Sequence, residues 1–223
     1  MLKVEVLDNW KKQFPILSKY MSNGLYMRLE FVLIGLQIEK VLSDEYRFML
    51  FCYPLWESES ERKKKIPIFK YEILNKKGLQ LFIPCNNVSI DVLEEAFNCV
   101  KEQVGFVFRE NLSLDNVFKL LEKVSKQFAS KHNPVDWYRL FEFKLALALY
   151  LGDMYLMEKI KKEIEKEITY WDPSHFNRLF FKSIEEWKNE LFERFKDRVI
   201  FMKQIDQNIL NSKILKLRNS HIL

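Results

Sequence analysis

The chain has 223 residues, of which 48% are hydrophobic, 15% aromatic and 30% charged. This composition supports a sizeable core, and the presence of only five Gly and six Pro argues against disorder and against a turn-dense all-β fold. The net charge of +5, from 36 basic and 31 acidic residues, is smaller than a dedicated nucleic-acid binder usually carries.

The cysteines and the short motifs give no sign of a metal or a cofactor. Cys52, Cys85 and Cys99 are widely spaced and form no C-x-x-C pair, so we expect them to be small buried hydrophobes in a reducing cytosol. The five glycines cannot form a glycine-rich phosphate loop. The longest apolar run in the first half, FVLIGL, is far too short for a membrane span. We therefore predict a cytoplasmic protein without cofactor, metal or membrane contact.

The N-terminal part of the chain is predicted to be a helix followed by strands. Residues 5–22 predict one helix, or two short helices broken at Pro15. Four later segments are rich in β-branched and aromatic residues and are predicted strands: 29–41, 46–56, 66–74 and 79–84. The polar sequence LSDE at 42–45 predicts a hairpin turn between the first two. Consecutive strands of this kind indicate an antiparallel meander, to which 106–110 would add a fifth strand.

The rest of the chain shows helical spacing of its apolar residues. Ser89 and Ser113 are predicted N-caps, Gly105 a left-handed C-cap and Pro134 a first-turn proline. The predicted helices are 89–104, one that starts after Ser113, 135–151, 154–168, a long one through Phe180 and Phe195, and one that begins near Val199 and frays after Ser212.

This order predicts an α+β fold: an N-terminal antiparallel β-meander of four or five strands with flanking helices, followed by a C-terminal helical bundle. The two predicted lobes are 1–110 and 111–223, and they would also be compatible with one continuous domain.

Two segments of the first lobe are candidate partner-binding sites. The hairpin tip contributes four residues: Asp44, Glu45, Tyr46 and Arg47. The sequence ESESERKKK at 57–65 contributes four more: Arg62, Lys63, Lys64 and Lys65. Because three acidic residues precede the four basic ones, we interpret this segment as a mobile, solvated hairpin loop that a protein partner would order, and not as a phosphate-binding segment.

Two alternatives remain open. The first is nucleic-acid binding by a C-terminal basic helix, whose candidate residues are Lys203, Lys213, Lys216 and Arg218. The second is an enzyme of unrecognised class that uses His132 or His175, since each has an Asp nearby in the sequence that would orient an imidazole. Both histidines also fit ordinary loops that precede helices, and we assign no catalytic residue.

The sequence therefore favours a non-catalytic protein of the bacterial cytosol that binds another protein. The accessory subunit of a defence system and the immunity-type inhibitor of a toxin are two examples of chains of this size and character. The nucleic-acid-associated accessory protein is the alternative, and the enzyme is the second alternative.

Overall fold

The computed structural model describes residues 2–41, 44–64, 66–86 and 89–223, apart from the side chains of residues 2–4 and of Lys63. The fold is α+β, as predicted. Its strands are β1 (Ser18–Met21), β2 (Gly24–Leu29), β3 (Val32–Lys40), β4 (Glu45–Pro54), β5 (Phe69–Glu72), β6 (Phe82–Pro84), β7 (Asn111–Leu112) and β8 (Asn219–Ile222). Its helices are α1 (Leu2–Gln13), α2 (Glu59–Lys63), α3 (Ile90–Val104), α4 (Leu114–Ser125), α5 (Pro134–Leu151), α6 (Met154–Ile168), α7 (Pro173–Phe180), α8 (Ile184–Arg194), α9 (Arg198–Ile209) and α10 (Ser212–Leu215).

The centre of the sheet is the antiparallel meander β2–β3–β4. Each outer edge of this meander carries two short strands: β1 and β8 pair with β2, whereas β5 and β6 pair with β4. Strand β8 runs parallel to β2 and to β7, and the backbone N–H of Arg28 donates to the carbonyl of Arg218 at 2.9 Å. The C-terminal residues therefore belong to the same sheet as the N-terminal meander.

The two faces of the meander differ in chemistry, because successive residues of a strand point to opposite sides. One face is buried and apolar, and its residues include Leu25, Met27, Ile34, Leu36, Phe48 and Leu50. Helices α1 and α5 cover this face: the Trp10 ring lies 4.7 Å from the Phe48 ring, and the Phe143 ring lies 5.4 Å from that of Phe69. The opposite face carries Tyr26, Gln37 and Tyr53, around which the candidate site is built.

The first forty residues contain more strands than the sequence suggested. The predicted helix over 5–22 is wrong in its second half, because α1 ends at Gln13 and residues 18–21 form β1. Pro15 favours this break, since proline disfavours helical backbone in the residue before it. The predicted strand 29–41 belongs to two strands that meet in a tight turn, in which Glu30 has a φ of 50°.

Three predicted helix starts after residue 88 are confirmed, those of α3, α4 and α5. The hydroxyls of Ser89 and Ser113 accept backbone N–H groups of the first turns of α3 and α4, at 3.4 Å and 3.3 Å, and Pro134 is the first residue of α5. Gly105 is different: its φ is −58°, which is right-handed, and the chain continues into a 3₁₀ turn at Gly105–Val107. A fifth strand over 106–110 is therefore wrong, and β7 begins only at Asn111.

The C-terminal quarter differs from its prediction in two places. The long helix through Phe180 and Phe195 is two helices, because Phe181 has a left-handed φ of 55° and Ser183 then caps α8. The predicted fraying after Ser212 is also wrong, because α10 and β8 follow. Strand β8 is fixed by its neighbours: the backbone N–H of His221 donates to the carbonyl of Glu110 at 2.9 Å. Among the helices of the described ranges, none has the length and apolar character needed to cross a membrane.

Candidate functional site

Residues 57–65 contain the helix α2, so the prediction of a hairpin loop without regular structure is wrong. The hydroxyl of Ser58 accepts the backbone N–H of Glu61 at 3.4 Å, and the Glu61 carboxylate accepts the backbone N–H of Ser58 at 2.9 Å. This capping box satisfies the free backbone donors of α2. Lys64 is exposed after α2. Lys65 and the side chain of Lys63 lie outside the described residues.

An ion-pair network connects residues 57–61, around the start of α2, to helices α5 and α8. Glu142 on α5 is buried and accepts hydrogen bonds from Arg139 at 2.7 Å and from Arg194 at 2.8 Å. Arg139 also lies 3.5 Å from Glu57, and Arg194 lies 3.6 Å from Glu61. Burial raises the pKa of Glu57, and the charge of Arg139 opposes that rise. The acidic residues of the turn therefore face arginines of α5 and α8.

A side chain of α9 also binds backbone carbonyl groups of the segment that leads from β4 into α2. The buried side-chain amide of Asn208 donates to the carbonyl oxygens of Leu55 at 2.7 Å and of Glu57 at 2.8 Å. Both carbonyl groups lie beyond Pro54, the last residue of β4. Asn208 therefore fixes the position of the segment that leads from β4 into α2.

A pocket of about 530 Å³ opens where this turn meets the polar face of the sheet. Its wall includes residues from β1, the β1–β2 turn, β3, β4, the segment around α2, and α10: Tyr20, Met21, Ser22, Asn23, Leu33, Gln37, Tyr53, Pro54, Leu55, Glu57, Arg62, Ile66 and Lys213. Its volume falls within the range of about 300–1,000 Å³ that is usual for small-molecule sites. The pocket thus combines apolar walls with several polar side chains.

Gln37 organises the polar part of this pocket. Its side-chain amide donates to the hydroxyl of Tyr53 at 3.1 Å and to that of Tyr26, while its carbonyl accepts the amide of Asn23 at 3.5 Å. Burial raises the pKa of Tyr26 and of Tyr53, so both phenols stay neutral. The Tyr26 ring covers Gly35, where any side chain would collide with it. Gln37 and Tyr53 are therefore held in fixed positions.

Two basic residues from different candidate sets meet at this pocket. Arg62 was a candidate for protein binding, and Lys213 was a candidate for nucleic-acid binding; both line the pocket. The Nε atom of Arg62 is buried and has no hydrogen-bond partner among the described residues. Burial raises the pKa of the nearby Tyr20, and the positive charge of Arg62 opposes that rise.

The hairpin tip is paired within itself. Asp44 lies 2.7 Å from Lys40, and this ion pair lowers the pKa of the Asp44 carboxyl. The Arg47 guanidinium contacts Glu39 across β3 and β4 at 2.7 Å. Glu45 and Tyr46 begin β4 and pair with β6, and Tyr46 is only partly exposed. These contacts are typical of a polar turn, and recognition by these residues stays a prediction.

The four basic residues near the C-terminus are spread over α9 and the segments that follow it, and do not form one basic helix. Lys203 belongs to α9 and Lys213 to the four-residue α10, whereas Lys216 and Arg218 lie in the connection to β8. All four are exposed. Nucleic-acid binding by these residues stays a prediction.

The histidines have ordinary structural surroundings. The His132 ring lies 2.8 Å from Glu167 and stacks on Tyr170, whereas His175 is exposed in the first turn of α7, which Asp172 caps. His221 in β8 contacts Glu30 at 2.9 Å. Within the described ranges, no group of three His, Cys, Asp or Glu residues has a metal-binding arrangement.

The helical part carries a second candidate site, which is apolar. Arg198 at the start of α9 donates to the carbonyls of Leu149 and Tyr150, at 2.9 Å each, and thereby joins α9 to the α5–α6 turn. Apolar residues follow on both sides of this joint, and we name them the α9 surface: Leu151, Met154, Tyr155, Val199, Met202 and Leu210. Tyr155 is 84% exposed, Val199 77% and Leu210 73%.

Sequence reasoning missed most of the pocket, although one signal was present. Gln37 is a lone polar residue inside the apolar strand VLIGLQIEK, and a buried polar side chain requires partners. Its partners Tyr26 and Tyr53 lie on the two neighbouring strands, β2 and β4. They share a face of the sheet with Gln37 because of the strand register, which a short sequence motif does not reveal. The α9 surface had no sequence signal, because its apolar residues lie beside helical core positions.

Comparison with known proteins gives one distant relative. The chain is 29% identical over 111 residues to an uncharacterized protein of Aquifex aeolicus (strain VF5). The match covers 48% of this chain and 63% of that protein, so the chain spans less than two thirds of the curated relative. No family model matches the chain. No solved structure matches it.

Proposed function

We propose that this chain is a non-catalytic protein of the bacterial cytosol that acts by binding another protein. The observation that carries the proposal is the α9 surface, where Val199, Met202 and Leu210 line one shallow depression and Val199 and Leu210 are 77% and 73% exposed. Proteins rarely expose contiguous apolar patches unless a partner covers them. Covering Tyr155, Val199 and Leu210 would remove apolar area from water, which is the main driving force of protein association.

The polar residues around these side chains fit the same proposal. Arg198, Lys203 and Asp206 of α9 line the same depression as Val199 and Leu210, the residue that follows α9. An apolar centre with a charged rim is the usual anatomy of a protein interface, in which the rim contributes mostly to specificity. Because the rim carries both positive and negative side chains, it favours a protein partner over a uniformly negative partner such as a nucleic acid.

An accessory subunit of a larger complex is the form of this proposal that fits best with an exposed apolar surface on α9. A defence-system subunit and an immunity-type inhibitor are two narrower versions, and they rest on the size and the character of the chain alone. All three versions predict a stoichiometric complex with one defined protein.

The experiment is a comparison of three tagged forms of the chain, purified from the native host. The first form is the natural sequence, and the second carries Val199→Glu and Leu210→Glu. The third carries Ile90→Glu, which places the same charge on an apolar residue of α3 that is 74% exposed. We expect the first and third forms to retain a stoichiometric protein partner and the second to lose it. The proposal is wrong if no form retains a partner, or if all three retain it equally.

A second candidate is a nucleic-acid-associated accessory protein, and the exposure of Lys203, Lys213, Lys216 and Arg218 favours it. Such binding would weaken steeply as salt rises, because each neutralised phosphate releases counterions. Titration of labelled DNA and RNA at two salt concentrations tests it. Salt-insensitive binding, or no binding at low salt, would exclude this candidate.

A further inference from the structure

The pocket on the polar face of the sheet is separate in its lining from the α9 surface, and the proposed function does not use it. Its apolar wall is formed by Met21, Leu33, Pro54, Leu55 and Ile66. Its polar groups include the hydroxyl of Tyr53 and the amides of Asn23 and Gln37. A concave site with apolar walls and a few convergent polar groups is the usual form of a small-molecule site.

The charges of the pocket favour an anion. Arg62 and Lys213 bring two positive charges to its lining, and Glu57 brings one negative charge. Glu57 has a cationic neighbour of its own, because Arg139 lies 3.5 Å from its carboxylate. The positive charges of Arg62 and Lys213 have no ion-pair partner among the described residues. The local excess of positive charge is therefore available to a ligand.

Among the residues that line the pocket, Arg62 has a buried side-chain donor without a hydrogen-bond partner within the described ranges. Its Nε atom is buried without an acceptor in the described part of the chain. A buried donor without an acceptor is costly, and a carboxylate or phosphate oxygen would supply the missing acceptor. The backbone around Arg62 is fixed by the capping box between Ser58 and Glu61. The backbone that carries Arg62 is thus positioned before any ligand arrives, which reduces the entropy lost on binding.

We propose that this pocket binds a small organic anion, whose carboxylate or phosphate group pairs with Arg62 and Lys213 and whose apolar body packs against Met21, Leu33 and Ile66. The hydroxyl of Tyr53 and the amides of Asn23 and Gln37 then contact polar groups of the ligand body. Carboxylate and phosphate share the chemistry that a guanidinium recognises, and the experiment separates them.

The test uses three probes that share an aromatic ring: benzoate, phenyl phosphate and neutral phenol. Binding is measured by calorimetry and by the ¹⁵N–¹H signal of the Arg62 side chain, which reports on the proposed contact itself. We expect at least one of the two anions to bind and to shift this signal, and phenol to bind at least about tenfold more weakly, because a charge-assisted hydrogen bond is lost. The stronger of the two anions identifies the acidic group.

Three variants locate the site. Arg62→Gln should weaken binding of that anion by about tenfold or more, and Lys213→Gln should weaken it less, because lysine binds as a point charge. Lys77→Gln, at an exposed lysine of the β5–β6 turn, is the matched control and should leave binding unchanged. The inference is wrong if neither anion binds, if phenol binds as tightly as the anions, or if Arg62→Gln binds like the natural sequence.

Discussion

Glu142 of α5 and Arg194 of α8 form a hydrogen-bonded ion pair at 2.8 Å, in which the carboxylate is buried. The other oxygen of Glu142 accepts from Arg139, whose guanidinium reaches Glu57 in the segment after β4. One carboxylate therefore connects two helices to the turn that carries Arg62. The position of the pocket wall depends on this network and on Asn208.

Glu142→Gln is expected to destabilise the fold. The substitution keeps the shape of the side chain but leaves two guanidinium groups without their carboxylate. Breaking a buried ion pair costs about 3–5 kcal/mol, and we expect the lower end because Arg194 is partly exposed. Urea unfolding at neutral pH measures the change. Glu193→Gln, which removes the exposed partner of Lys196, is the control and should have little effect. Equal effects of the two substitutions would contradict the assigned role of Glu142.

Gly35→Ala is expected to be strongly destabilising. A Cβ atom at this position would collide with the carbonyl oxygen of Leu25 and would lie 2.6 Å from the ring of Tyr26. Overpacking usually costs about 1–3 kcal/mol, and a contact with backbone on a central strand should reach the top of that range. Gly105→Ala is the control: its φ is −58° and its nearest new contact is 3.4 Å. We expect the control to be neutral or slightly stabilising. Thermal unfolding measures the stability of both variants. If Gly35→Ala unfolded at the same temperature as the natural sequence, the packing of the Tyr26 ring against Gly35 would be contradicted.

His221→Pro tests whether the C-terminal residues form a strand. Proline removes the backbone N–H that donates to the carbonyl of Glu110, and we expect a loss of about 1–3 kcal/mol of folding free energy. His221→Ala keeps this hydrogen bond and removes only the exposed side-chain contacts with Glu30 and Asn219, so its effect should be much smaller. Denaturant unfolding compares the two. If the tail frayed as the sequence suggested, both substitutions would be equally harmless.

The cysteines should differ in their reactivity. Burial raises the pKa of the Cys52 thiol well above its usual value and also raises that of Cys99, so each holds less of the reactive thiolate near neutral pH. Cys85 is only partly buried, unlike the buried cysteine that the sequence predicted. Alkylation by iodoacetamide at pH 7.5, followed by mass spectrometry, should modify Cys85 first and Cys52 last. Early modification of Cys52 in the folded protein would contradict its burial.

The fold class was predictable because its signals are local. Ser89, Ser113 and Pro134 mark helix starts by their own chemistry, and the alternation of strands and helices along the chain gives the α+β class. The capping box at Ser58 and Glu61 was equally local, since it has the S-x-x-E spacing, but the surrounding charges suggested a loop.

The remaining features depend on contacts that are distant in sequence. Strand β8 has four residues without an apolar pattern, and only its parallel pairing with β2 and β7 defines it. The pocket draws its lining from separate segments between Tyr20 and Lys213, so no short motif describes it. Gln37 was the one local indication, because a lone polar residue in a buried strand needs partners.

The most direct test of the proposed function is hydrogen exchange in the reconstituted complex with the partner that the natural chain retains. We expect slower amide exchange in the complex at 151–155 and 198–210, because these residues would lie under the partner. Exchange in α3, around the exposed Ile90, should stay unchanged. Protection confined to other regions, with 151–155 and 198–210 unaffected, would contradict the assignment of the α9 surface as the binding site.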